Sequence, residues 1–257
     1  MSQKNVNILW FKRDLRLHDH APLVEAAANG VVLPLYIVEP DYWRLPDSSR
    51  RHWHFIHDSL QDLSSELSMH GAMLAIRIGN AITIFNTLLQ QYKHITLWSH
   101  EETGNDWTYR RDKQVKIWCD TNNVKWFELP SNGVVRRLKN RNEWSKIRNQ
   151  RMQQPILVAP QSIKIPDYPI SDDLPAKHHA MFCDLAIGNV QKAGRTEGLK
   201  VLDSFLSERG RKYMLNISKP GISARHCSRL SPHIAFGTLS VREIEQATKS
   251  KIAYLTT

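Results

Sequence analysis

The feature that most limits what this chain can fold into is a series of near-continuous apolar runs. They are VNILWF (6–11), VVLPLYIV (31–38), AMLAIRI (72–78), HITLWS (94–99) and VKWFEL (124–129). Each has strand length, and strands this apolar belong to a sheet covered on both faces. Helix patterns lie between them. The clearest is Trp53, Ile56, Leu60, Leu63 and Leu67, spaced at helical intervals, with Ser48 and Ser49 where its N-cap belongs. Buried strands alternating with amphipathic helices predict an α/β fold, a doubly wound parallel five-stranded sheet spanning 1–130.

The pattern changes after Pro130. The stretch 131–152 is rich in Arg, Lys and Asn, and prolines follow at 155, 160, 166, 169 and 175. Such spacing forbids a long helix and predicts an extended interdomain linker over 131–192. From 193 to 257 helix patterns return. Leu199, Leu202, Phe205 and Leu206 make one apolar face, and no further strand, internal repeat or low-complexity tract is predicted.

Composition excludes several classes. No apolar run reaches the roughly 18 residues of a membrane span, and the N-terminus lacks a signal-peptide layout. Three cysteines, Cys119, Cys183 and Cys227, with no C-x-x-C argue against a disulfide scaffold or zinc ribbon and suit a reducing cytoplasm. Lys and Arg number 35 against 25 Asp and Glu, a net charge of +10. That balance points to polyanionic partners, nucleic acid first, and no membrane.

Four stretches carry candidate chemistry. LWFKRDLRLHDHAPL (9–23) follows the first strand, at the carboxyl edge where ligands of doubly wound sheets gather. It has no G-x-G-x-x-G, and its charges Lys12, Arg13, Asp14, Arg16 and Asp19 are expected to pair with one another. In 50–60, His52, His54 and His57 read as a polar helix face rather than a metal site. In 100–120, Trp107, Val115, Trp118 and Cys119 form a core stripe, leaving Arg110, Arg111, Lys113 and Lys116 on exposed faces. Arg136, Arg137, Lys139 and Arg141, with Trp144 nearby, form a cationic cluster that is either a DNA contact or a solvated surface.

The stretch CSRLSPHIAFGTLSVREI (227–244) is dense in helix punctuation. Ser231–Pro232 opens one helix, Gly237 closes it in a left-handed conformation, and Ser240 with Glu243 forms a capping box. Free N–H groups at a helix start, with Ser228, Arg229 and Ser231, also suit a phosphate.

Taken together, 9–23 and 227–244 resemble the photolyase/cryptochrome family. The first is similar to its R-D-L-R-x-x-D signature and the second to its T-S-x-L-S-P flavin-phosphate motif. EGLKVLDSFLSERGRKY, ending at Tyr213, is similar to the entry of the flavin domain. The resemblance covers the chain and implies an antenna-type α/β domain over 1–130, a linker, and the beginning of an all-α FAD-binding domain. It implies FAD as cofactor, held by Tyr213, Cys227, Ser228, Arg229, Leu230 and Ser231, with Cys227 where threonine is commonest. The antenna chromophore, folate or deazaflavin, stays open. It implies UV-damaged DNA as the partner of a deoxyribodipyrimidine photolyase, a carbon–carbon lyase. A cryptochrome-type blue-light receptor and a non-catalytic antenna or nucleotide-binding remnant are the alternatives. Family members are longer, so the remaining helical domain is a further implied partner. The 257-residue chain alone is expected to hold FAD weakly or not at all, to lack repair activity, and to be poorly ordered or self-associating over 193–257.

Overall fold

The computed structural model describes residues 5–256 except 132, 168, 183–187 and 189, so Cys183 lies outside the described residues. The five expected strands form one sheet: β1 (Val6–Phe11), β2 (Val31–Val38), β3 (Ala75–Ile78), β4 (Ile95–His100) and β5 (Lys125–Leu129). All neighbours are parallel, in the order β3-β2-β1-β4-β5. The third strand begins later than the apolar run suggests, although Ala72 and Leu74 are still buried.

Alternation along β1 sends Leu9 and Phe11 into one core and Ile8 and Trp10 into the other. The first core is closed by α1 (Ala21–Ala28), α2 (Pro40–Trp43) and α3 (Arg50–Met69), the second by α4 (Ala81–Tyr92) and α5 (Asp106–Thr121). Ser49 caps α3 by accepting the His52 N–H, and all five residues of the Trp53–Leu67 stripe are buried. Strand order reverses at β1, so the β1 loop and the end of β4 meet at the topological switch point.

Six α-helices follow among the described residues: α6 (Trp144–Gln153), α7 (Arg195–Ser207), α8 (Tyr213–Asn216), α9 (Pro220–His226), α10 (Ser231–Ala235) and α11 (Val241–Thr256). The described parts of the proline-rich segment between α6 and α7 are extended and cross the surface of the α/β domain as a strap. The Lys164 carbonyl accepts from the Val32 N–H at 2.7 Å, and the Ile163 and Asp172 N–H groups donate to the carbonyls of His70 and Ile76. Phe182 is buried and stacks on Trp53 at 4.2 Å. A small helical core joins Leu202, Leu230 and Leu239, with Leu206 and Ile244 against it. Leu199 points outward instead, and Met214 and Leu215 are exposed. Among the described residues no helix is long and apolar enough to cross a membrane.

Candidate functional site

The two stretches singled out in the sequence meet each other. Three successive carbonyls at the end of α10 are taken by the β1 loop. Arg13 Nε donates to Ala235 O at 2.9 Å, Leu15 N to Phe236 O at 3.1 Å, and Arg16 Nη1 to Gly237 O at 2.9 Å. Gly237 sits at φ +66°, and a Cβ there would lie 2.3 Å from the Arg13 carbonyl. Glycine is therefore required both by conformation and by the closeness of the two backbones. His233 and Phe236 pack edge and face against Phe55 of α3, completing the dock.

This arrangement corrects the expectation that the β1-loop charges pair with one another. The internal bonds among these residues are Lys12 N to Asp14 Oδ1, Arg16 N to the Asp14 carbonyl and Arg16 Nη2 to the Asp19 carbonyl, and none joins two charged side chains. Lys12 Nζ reaches Asp112 at 2.8 Å, Asp19 meets Arg242, and Asp14 accepts from His20 Nε2 and His100 Nδ1 at 3.0 and 2.6 Å. Burial would raise the Asp14 pKa, but the two histidine hydrogen bonds hold it well below the usual carboxylate range. Burial pushes His100 down to about 3.

Asp14, His20 and His100 bring three potential metal-ligating atoms within 4.8 Å of one another. The donor set does not fit a metal. His20 Nδ1 accepts the Leu23 N–H at 3.1 Å, which places the proton of the neutral ring on Nε2, the atom a metal would need.

Arg111 is also a correction. Instead of lying on an exposed face it is largely covered, its side chain 10% exposed, and bound to Glu39 at 2.6 Å, Glu102 at 3.0 Å and Asp112 at 2.8 Å, over the Trp10 ring. Burial alone would lower its pKa, but these carboxylates raise it above the ordinary value. The crevice beside Trp10 and Glu39 is thus filled by charge pairs, leaving about 50 Å³, while a second space of about 950 Å³ opens beyond β4 and β5 between Glu101, Tyr109 and Arg136.

A cavity of about 730 Å³ lies beside that crevice. It is within the usual range of ligand sites. Tyr213, Cys227, Ser228, Arg229 and Ser231 all line it. Leu230 does not, because its side chain is buried in the helical core. The loop is held from behind by its carbonyls. Arg209 donates to Cys227 O at 2.6 Å and Ser228 O at 3.3 Å, and Gln191 Nε2 to Arg229 O at 2.8 Å. Arg229 adopts a left-handed φ of +62°, followed by a right-handed Leu230. Consecutive residues of opposite hand align their N–H groups into an anion-binding concavity. Among the described residues the N–H groups of Arg229 and Ser231 take no partner. Arg209, which the sequence reading did not single out, is therefore a positioning residue of the loop. Its partners lie 18 and 19 residues away, beyond any local pattern.

Helix punctuation is partly as expected. Pro232 stands second in α10, with Leu230 at the cap, and α10 has five residues, too short for a substantial dipole. The Ser240 hydroxyl accepts the Glu243 N–H at 2.9 Å. The reciprocal half of the capping box is lost, since Glu243 instead forms a two-pronged pair with Arg195.

The remaining candidates are dispersed. His52 lines the cavity, the His54 ring meets His178, and His57 pairs with Asp58. Arg136 is bound by Glu101 and Glu128, which removes it from the free cationic surface. Arg137, Lys139 and Arg141 are exposed.

Comparison with known proteins agrees with this geometry. The family model described as DNA photolyase matches residues 7–161. The chain is similar to a deoxyribodipyrimidine photo-lyase of Agrobacterium fabrum, 27% identical over 268 residues that cover 94% of this chain and 53% of the relative. It is 31% identical to a chloroplastic/mitochondrial cryptochrome DASH of Solanum lycopersicum over 139 residues, 51% of this chain and 23% of the relative. In fold it resembles a class III photolyase from Agrobacterium tumefaciens (TM-score 0.77, 24% identity, 100% of this chain and 57% of the other). It also resembles a Synechocystis cryptochrome (TM-score 0.83, 19% identity, 100% and 58%). The chain spans less than two thirds of the length of these relatives.

Proposed function

Because this chain belongs to the DNA photolyase/cryptochrome family, we propose that it forms the light-antenna domain (1–130), the linker (131–192) and the first helices (193–257) of a flavoprotein that holds the diphosphate of FAD. One observation carries the reading. Tyr213, Cys227, Ser228, Arg229 and Ser231 converge on one cavity, with the loop carbonyls tied back and, among the described residues, the Arg229 and Ser231 N–H groups without a partner. The residues present fit such a group. Arg229 and the Ser228 and Ser231 hydroxyls supply donors, and Leu230 contributes only its backbone. The Cys227 thiol is a weaker donor than a hydroxyl.

In the full-length family the flavin, when bound, supplies a light-driven electron to a pyrimidine dimer flipped from DNA. This chain's residues bind and orient the diphosphate, and Tyr213, whose ring meets Phe205 at 5.8 Å, offers a face beside the loop. UV-damaged DNA is the proposed polyanionic partner, approached through the net charge of +10. The compartment consistent with the cysteine content is a reducing one.

The test is purification with excess FAD, followed by flavin absorbance and a dimer-repair assay under blue light. Retention of FAD that falls on Ser228→Ala/Ser231→Ala substitution supports the reading. Binding that ignores those substitutions contradicts it. Repair above a dark control identifies the lyase, and FAD retention without repair leaves the flavin-binding reading intact.

A further inference from the structure

Half of the cavity wall does not come from the serine loop. Arg13 reaches it from the β1 loop, Arg51 and His52 from the first turn of α3, and Asn105 from the cap of α5. Arg13 is fixed in place, with Nε on the Ala235 carbonyl and the guanidinium 5.8 Å from the Phe236 ring centre. Its terminal nitrogens have no partner among the described residues, and neither does the Arg51 guanidinium. Asp47, the one carboxylate lining the cavity among the described residues, is engaged by Asn105 Nδ2 at 2.8 Å. The described lining therefore carries Arg13, Arg51 and Arg229 against a single acid. His52 feels this field. Burial first, then Arg13 and Arg51, lower its pKa, and Asp47 alone opposes them. Elsewhere partly buried arginines are engaged by the protein, Arg111 by three carboxylates, Arg136 by two, and Arg209 by the carbonyls of Val201, Cys227 and Ser228. Uncompensated cations around a concave site concentrate anions there.

We propose that the α/β domain binds the anionic ligand directly, with Arg13 and Arg51 forming a second anion-contact wall of the same cavity. A diphosphate-bearing ligand is then held by both halves of the chain at once, and its binding tightens their dock. The identity of the ligand as FAD rests on the function proposed above; the existence of the second wall does not.

The experiment is calorimetric titration of the full chain with inorganic pyrophosphate and, separately, with FAD, at low ionic strength. Wild type is compared with Arg51→Gln, Arg51→Glu and Arg229→Gln. Arg51 is exposed and makes no contact that folding needs, so ligand-free melting temperatures should agree. The proposal expects Arg51→Gln to weaken both ligands about tenfold and Arg51→Glu to weaken them further. If Arg229→Gln weakens binding while both Arg51 variants match wild type, the loop alone holds the ligand. The proposal then falls and the proposed function stands. If the Arg51 variants weaken pyrophosphate but FAD binds no tighter than pyrophosphate, the second wall stands and the flavin reading falls. Absence of pyrophosphate binding to wild type at millimolar concentration overturns both.

Discussion

Arg111 and Arg51 lie at neighbouring places on the α/β domain and serve opposite ends. Arg111 is largely covered among three carboxylates and two indole rings, its charge fully absorbed by the protein. Arg51 stands at the rim of a cavity whose one acid among the described residues, Asp47, is engaged by Asn105. The same contrast separates the two regions around them. The switch-point crevice is closed by ion pairs, whereas in the cavity beside it the Arg51 guanidinium and the N–H groups of Arg229 and Ser231 have no partner among the described residues. Arginines that hold the fold are engaged inside it, by carboxylates at Arg111 and by carbonyls at Arg16 and Arg209, whereas the Arg51 guanidinium has no partner among the described residues.

The largest effect should come from breaking the matched side. Arg111→Met leaves Glu39, Glu102 and Asp112 buried together, which costs about 3–5 kcal/mol. Chemical denaturation of the full chain should show it, while Arg51→Met should leave stability unchanged. Equal losses from the two would erase the contrast.

Next is the join between the regions. Gly237→Ala places a methyl group 2.3 Å from the Arg13 carbonyl at a left-handed φ. The strain alone costs about 1–3 kcal/mol. Limited proteolysis should then cut the segment after α6 faster while sparing 1–130. Uniform digestion of both parts would contradict two-domain organisation.

Acid should act on the two regions with opposite signs. His100, pushed down to about 3, and His233, pushed down to about 4 by burial, have folded values below that of the unfolded chain. The unfolded state therefore binds these protons first. Their stabilisation is complete above about pH 6.5 and is lost as pH falls toward 4, by about 1.4 kcal/mol per pH unit for each group. Asp14, also held low, adds to the loss in stronger acid. At the cavity, a bound diphosphate raises the lowered His52 value, so FAD affinity should increase modestly as pH falls from neutral. His52→Gln should remove that increase. Affinity that falls with pH would contradict an uncompensated cationic wall.

The smallest effect concerns the cluster after β5. Lys139→Gln and Arg141→Gln should each reduce the salt slope of duplex DNA binding by about one or less. Arg136→Gln should lower stability instead, because its charge is already taken by Glu101 and Glu128. A steeper change from Arg136→Gln than from its neighbours would mean that DNA competes for that pair.

These contrasts also mark where the sequence was readable. The five strands and the α3 stripe follow from runs and spacings that complete themselves within a few residues. The gathering of Tyr213 and the serine loop was legible through family resemblance, since the motif carries its own local geometry. Arg111 looked exposed because a helix wheel shows its sequence neighbours but not Glu39, which is 72 residues away. The β1-loop charges looked self-paired for the same reason: Asp112 is 100 residues from Lys12, and Gly237 is 221 from Arg16. Glu243 fitted a capping box until Arg195, 48 residues earlier, offered a stronger partner. Local grammar predicts what a residue does when no distant charge competes for it.

The contrast between matched and waiting arginines is open to direct observation by nuclear magnetic resonance of the arginine side-chain Nε–Hε groups during titration with pyrophosphate. The account predicts that the signals of Arg13, Arg51 and Arg229 shift together and saturate with a single affinity, while those of Arg111 and Arg136 stay in place. Shifts at Arg111, or silence at Arg51 while Arg229 responds, would contradict it.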